Sequence, residues 1–471
     1  MADEELKAEV DAYVDEVWED AVRDIDYLVQ VESVEDLEGA APGSPWGKAP
    51  REALGRGLEV ASRLGLEAHD CEGYIGFADL PGASERYLAT IAHADIVPLG
   101  IGWTFDPLHV TRKDGYLVGR GVLDDKGPLV MSLYAAHFFQ RHVERTGERL
   151  PLTLRAIVGC NEETNMGDVD YYLAHYPEPE FLFTPDANFP LICGEKGLYS
   201  GTFRSGVVAD RIVELDGGTV GNAIPGLATA LVRADAAELP AAEGIDVEPA
   251  ADGLCKLTAH GRGGHASMPA GTLNAIGMLV GYLLDNGLVA GAERDFLELE
   301  RAVFATTDGS SLGIASADGL FGPLTCIGGT VRTEGGRFVQ TVDSRYPKST
   351  TGEAITAVLA ELARAHGAEY EQGRDVLPFY TDPSSPEVRT LLDTYNEYTG
   401  AHGEAYTIGG GTYARHFAKA AAFGPCDPEA PQPSWVGPEH GPDEGIAEDQ
   451  LKLALKIYIV SIARLMRLYE S

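Results

Sequence analysis

Near the start of the chain, Val10, Tyr13, Val14, Val17, Val22, Ile25 and Leu28 recur at helical spacing with charged residues between them. That period predicts an amphipathic helix from about Glu5 to Val31. A connection rich in Gly and Pro, GAAPGSPWGKAP, leads to a second helix around 51–64 and then to strand-like runs at 74–78 and 87–93. The 127–142 stretch is helical again, with Leu129, Val130, Leu133, Ala136 and Phe139 able to pack on a sheet. Strand, helix, strand is the crossover unit of a mostly parallel sheet, so this half reads as an α/β domain flanked by helices.

After Asp186 the texture changes. Thr, Val and Gly become more frequent, and helical periodicity lapses until TLNAIGMLVGYLLDNG, a helix near 272–287. The piece AAELPAAEGIDVEPAADG reads as an exposed loop or hairpin. Further on, PEVRTLLDTYNEYTG and EDQLKLALKIYIVSIARLMRLY return to amphipathic helices like those of the first half. The pattern therefore predicts a discontinuous domain, 1–193 completed by 385–471, around an inserted α+β domain at 194–384. A chain of 471 residues also exceeds the ~250–300 over which a single core keeps growing.

Charge narrows the partners. Lys and Arg number 36 against 73 Asp and Glu, a formal net of −37, and such a surface repels phosphate backbones and anionic lipid. Neither nucleic acid nor membrane is expected as a partner. The longest apolar run, Ala275 to Leu284, is about half the ~18 residues that suggest a membrane span. The opening MADEELKAEV lacks the basic and apolar segments of an export signal, which points to the cytoplasm. Cys71, Cys160, Cys193, Cys255, Cys326 and Cys426 are scattered without paired spacing, which argues for reduced thiols and against a Cys-rich zinc site.

Four strand-like runs stop at metal-ligand residue types. RYLATIAH ends at His93, YLVGRGVLDDKG at Asp124 and Asp125, LTLRAIVGC runs into Asn161, Glu162 and Glu163, and FLFTP ends at Asp186. Any one of them reads as ordinary turn chemistry. Together they predict a shared site, because strand carboxyl ends in an open α/β sheet lie along one edge. The period of two puts His93 and Asp95 on one face, where Asp95 could accept the Nδ1 proton and fix the other ring nitrogen on a metal. Glu162 and Glu163 diverge at a strand end, so one can bind a metal while the other stays free as a base.

The order His93-x-Asp95, GRGVLDDKG, NEE, FTPDA, GRGGHASMP and PEHGPDEG resembles the co-catalytic zinc peptidases of the aminoacylase, glutamate carboxypeptidase and dipeptidase family, and most of all its dipeptidase V group. The resemblance implies a zinc-exopeptidase-like catalytic domain with an inserted lid. It makes Asp124 the carboxylate bridging two metals, with His93 and Asp186 on one and Glu163 and His440 on the other, and a cis peptide between Asp124 and Asp125. Two zinc ions per chain are expected, and the same ligands also suit cobalt or manganese. A hydroxide bridging the two ions would attack the peptide carbonyl, Glu162 would serve as general base, and His265 would stabilise the oxyanion. Without the other motifs, His265 reads as an incidental His in a glycine-rich turn.

For substrate, Arg345 in TVDSRYP, Asn222 in VGNAIP, and Gly410 and Gly411 in YTIGGGTYAR resemble the group's elements that hold a free C-terminal carboxylate. Arg345 reads equally well as a surface ion-pair residue. Aspartate at 186 resembles the aminopeptidase and dipeptidase branch, where carboxypeptidases and deacylases tend to carry glutamate. The expected activity is therefore hydrolysis of unblocked dipeptides, by a monomer whose enlarged lid substitutes for a dimer partner. The alternatives are an N-acyl-amino-acid deacylase or carboxypeptidase of the same fold, and a non-catalytic peptide-binding protein, which would have no use for a free base at Glu162. GSSLG at 309–313 fits a serine-hydrolase string but lacks the flanking strand and helix, and reads as a loop.

Overall fold

In the computed structural model, which describes residues 3–206, 210–427 and 430–470, every residue of the strand Tyr87–His93 is buried. An apolar run without alternation is what a strand covered on both faces requires. It pairs in parallel with Thr153–Gly159 and with Phe181–Thr184, and Ala420–Ala422 adds in parallel beyond Phe181–Thr184. Antiparallel strands close the flanks: Ile75–Leu80 and then Glu67–Cys71 on one side, Ile192–Glu195 on the other. The result is an α/β sheet, parallel at its centre.

Helix Lys126–Thr146 packs on the strands Tyr87–His93 and Thr153–Gly159, and Lys48–Arg63 packs on Glu67–Cys71 and Ile75–Leu80. The long helices Asp3–Val29 and Glu448–Arg467 pack on Lys126–Thr146 and on each other. Their apolar stripes, Val10, Val14, Val17 and Ile25 on one and Leu451, Leu455 and Ile462 on the other, join a single core. Helical periodicity thus ties the two ends of the chain into one unit, formed by Met1–Gly194, Tyr380–Tyr406 and Gly411–Ser471.

The run Tyr116–Val118 departs from expectation. It lies outside the central sheet, pairing antiparallel with Thr111–Lys113 and with Gly445–Ala447 in a separate three-stranded sheet. The strand ends well before Asp124, because the chain turns through Gly121, whose φ of 90° suits glycine alone. His93, Glu163 and Asp186 follow parallel strands of the central sheet, whereas Asp124 arrives from this separate ladder. The same ladder draws in the segment that carries His440.

The second unit comprises Glu195–Phe379 with Thr407–Gly410. Its antiparallel sheet runs in the order Ile245–Pro249, Cys255–His260, Leu227–Val232, Ile212–Gly217, Thr325–Glu334, Arg337–Tyr346, Gly197–Arg204, Glu369–Val376. Helices Ala275–Asp285, Gly291–Ala305 and Gly352–Ala365 contribute Leu279, Leu283, Phe296 and Leu359 to the core beneath it. The Ala, Pro and Glu-rich piece forms an edge hairpin, Ile245–Pro249 against Cys255–His260, and GSSLG is a short 3-10 turn at Ser310–Leu312. Among the described residues, no helix is long and apolar enough to cross a membrane.

Two glutamates of helix Gly291–Ala305 are buried to different effect. Glu293 Oε1 accepts the main-chain N–H groups of Asp210, Arg211 and Ile212. Among the described residues neither oxygen of Glu300 has a hydrogen-bond partner, and burial pushes its carboxyl up to about 8. The folded chain therefore keeps a proton that the unfolded chain releases near its ordinary carboxylate range. Stability falls as pH rises from that range through about 8. Glu300→Gln is expected to melt higher than the parent at pH 7, by roughly 3 kcal/mol of stability, and to match it near pH 4.5. Thermal melts across that interval read the effect directly.

Candidate metal centre

His93 ends its strand wholly buried, and its Nδ1 lies 3.0 Å from the main-chain oxygen of Asp95 and 3.5 Å from that residue's Oδ1. Donation from Nδ1 would turn Nε2 toward a cation. It faces Asp124 Oδ1 at 3.0 Å and Asp186 Oδ2 at 3.8 Å. On the other side, His440 Nε2 lies 2.7 Å from Asp124 Oδ2 and 3.2 Å from Glu163 Oε2. Each oxygen of Asp124 therefore serves a different histidine. Donor atoms of His93, Asp124 and Glu163, and likewise of His93, Glu162 and Asp186, all lie within 4.8 Å of one another. The peptide between Asp124 and Asp125 is cis.

This crowd of acids sets its own electrostatics. Burial pushes the Asp124 carboxyl up, but hydrogen bonds from His440 and His93 outweigh it and hold the group below its ordinary range. Hydrogen bonds to Asp124 and Glu163 push His440 up to about 11. Burial opposes a proton on His93, yet its bonds to Asp124 and Asp95 prevail and push it up. Burial, reinforced by Asp124, pushes Asp186 up to about 8 and raises Glu163; burial and then Asp186 push Glu162 up. Such a set, in which Glu163 Oε1 has no hydrogen-bond partner among the described residues, fits divalent cations: they would supply the positive charge that buried carboxylates lack.

A further layer of acids holds the loops that present these side chains. The N–H of His93 donates to Asp125 Oδ2 at 3.0 Å, and that of Glu163 to Asp95 Oδ2 at 3.1 Å. Asp168 Oδ2 accepts from the N–H groups of Cys160 and Asn161 at 2.8 and 3.1 Å and from the Tyr413 hydroxyl at 2.5 Å. The Tyr413 ring meets that of His93 edge to face at 6.3 Å. Lys126 is buried, and its ammonium donates to the main-chain oxygen of Val31 at 2.7 Å. Sequence reasoning did not single out Asp168 or Tyr413. An acid in a helix's first turn looks like an ordinary cap, and the tyrosine closes a glycine-rich run, so neither carries a distinguishing pattern.

The remaining expected residues divide between the units. Asn222, His265, Arg345 and Gly410 lie in the second, and Gly411 in the first. Within the second unit, Ala223–Ile224 pairs with Gly264–His265, and Asn222 O accepts the Ala266 N–H at 3.0 Å. His265 Nδ1 is 2.7 Å from Ser267 Oγ. Arg345 is buried rather than superficial, with its Nε 2.7 Å from Asp343 Oδ1.

Histidines and carboxylates collected beside the carboxyl ends of parallel strands are the arrangement expected of a metal-dependent hydrolase. Residues 89–464 match the model of peptidase family M20/M25/M40, and the chain belongs to this family. It is 31% identical to the Beta-Ala-Xaa dipeptidase of Lactobacillus delbrueckii subsp. lactis over 96% of this chain and 97% of that one. In fold it is similar to the dipeptidase Dug1p of Saccharomyces cerevisiae, with TM-score 0.61 at 11% identity, covering 98% of each chain. Human carnosine dipeptidase 1 is similar at TM-score 0.59 and 14% identity, covering 98% of this chain and 99% of that one. The mostly parallel sheet and flanking helices are thus those of a metallopeptidase fold, as the pattern of strands and motifs predicted.

Proposed function

We propose that the chain hydrolyses unblocked dipeptides with two zinc ions, one held by His93, Asp124 and Asp186 and the other by Asp124, Glu163 and His440. The observation that carries this reading is Asp124, whose two oxygens face two different histidines at 3.0 and 2.7 Å. Cations bound there would polarise the scissile carbonyl and acidify a water. Glu162 takes the proton from the attacking water and delivers it to the leaving amine, which its position beside Glu163 and near His93 and Asp186 allows. Asp95 keeps His93 in the tautomer that frees Nε2. Arg345 is the candidate for the dipeptide's terminal carboxylate, with Asn222, His265, Gly410 and Gly411 as further substrate-facing groups.

An aspartate at 186 and a relative named as a Beta-Ala-Xaa dipeptidase support a substrate with a free amino terminus. We place the protein in the cytoplasm, a compartment that suits its free cysteine thiols, and as a monomer on account of the large inserted unit. The direct test compares a free dipeptide with its N-acetylated form. Release of amine from the free form alone is expected; preference for the acetylated form would make the chain a deacylase instead. Arg345→Ala is expected to raise KM for free dipeptides more than tenfold with kcat little changed, which steady-state kinetics resolves.

A further inference from the structure

We propose that Glu444 and Arg120 form a positioning pair that holds the Asp124 loop and the His440 loop in register for cation binding; this rests on the metal-site reading above. Both side chains are buried, at 0% and 1% exposure, and pair at 2.5 Å through Glu444 Oε2 and Arg120 Nη1. The other oxygen, Oε1, accepts three main-chain N–H groups of the loop that ends at Asp124: Gly121 at 2.9 Å, Leu123 at 3.2 Å and Asp124 itself at 3.2 Å. Arg120 reaches the other way. Its Nη2 donates to the main-chain oxygens of His440 at 3.2 Å and Leu99 at 3.4 Å. One ion pair therefore touches the backbone of both residues that flank the shared site.

The surrounding main chain makes the same connection. Gly119 N–H donates to Glu444 O at 2.9 Å, and Gly445 stands opposite Val118 in the small ladder. His440 sits at a φ of +61°, a conformation that a side chain rarely adopts unaided. The Arg120 bond to its carbonyl anchors that geometry. A buried ion pair contributes little stability over an apolar pair of similar volume, since burial costs both charges their water. An apolar pair, however, could not accept three N–H groups from one ligand loop while donating to the carbonyl of the other. What this pair adds is placement of Asp124 and His440.

The test measures zinc affinity by titration calorimetry on chelator-stripped protein, with cobalt absorption spectra as a second readout and melting of the metal-free form as the control. Glu444→Gln keeps the shape but turns an amide NH2 toward the guanidinium. Arg120→Lys keeps the charge but loses the fork to Leu99 and His440. Each is expected to bind zinc 10- to 100-fold more weakly, the range typical for groups that orient ligands, with an altered cobalt spectrum. Combining Glu444→Gln with Arg120→Met removes the unpaired buried charge and should restore melting without restoring affinity. If Glu444→Gln does not fold, the other two variants carry the same comparison. Variants that melt lower yet bind zinc like the parent would reduce the pair to a structural role and overturn the proposal. A parent protein that takes up no zinc, cobalt or manganese would remove the metal-site reading, and this inference with it.

Discussion

Glu162→Gln is expected to lower turnover of an unblocked dipeptide by about 1,000-fold, within the range general acid–base catalysis contributes, while zinc content stays at the parent level. Glutamine keeps the size and one oxygen of the side chain but can neither take a proton from water nor hand one to an amine. The loss should appear in kcat with KM little changed, because the missing interaction belongs to the transition state. Glu162 lies within reach of His93 and Asp186, yet the Asp124 oxygens are already matched to the two histidines. Metal retention alongside loss of rate is therefore the diagnostic pair. A variant that keeps a tenth of the parent rate with full metal would show that the proton is moved by another group.

Asp124→Asn should have a different signature, with loss of metal and loss of rate together. Both oxygens of Asp124 are engaged, and its carboxyl is held ionised against burial by His440 and His93. An amide offers one oxygen and no charge, so one position loses its ligand from this residue and the other keeps only an uncharged one. Zinc content is expected to fall to one per chain or less and hydrolysis by at least about 1,000-fold, since the proton relay alone cannot act without the polarising ions. Elemental analysis beside the rate assay separates this outcome from that of Glu162→Gln. Two full equivalents of zinc retained by Asp124→Asn would argue that the two positions do not share this residue.

Much of this architecture was legible in the sequence because the amphipathic period is strong where helices cover the sheet. Helices at Asp3–Val29 and Glu448–Arg467 follow directly from stripes such as Val10, Val14, Val17 and Leu451, Leu455, Ile462. Strand endings at His93, Glu163 and Asp186 were equally clear, since an apolar parallel strand that stops at an ionisable residue delivers that residue to the carboxyl edge of the sheet. Two things were not legible. Asp124 comes from a three-stranded ladder whose partner, Gly445–Ala447, lies more than three hundred residues away, and no local pattern announces such a pairing. Asp168 and Glu444, which hold the segments at Cys160 and Asp124, work through main-chain N–H groups, which leave no trace in side-chain spacing.

Whether two metals sharing Asp124 drive dipeptide hydrolysis is decided by stripping the protein with a chelator and adding zinc back in known equivalents while release of free amine from an unblocked dipeptide is followed. The expected result is activity that appears with zinc and saturates near two equivalents per chain. Saturation at one equivalent, or no hydrolysis at any zinc level with cobalt and manganese equally silent, would contradict it.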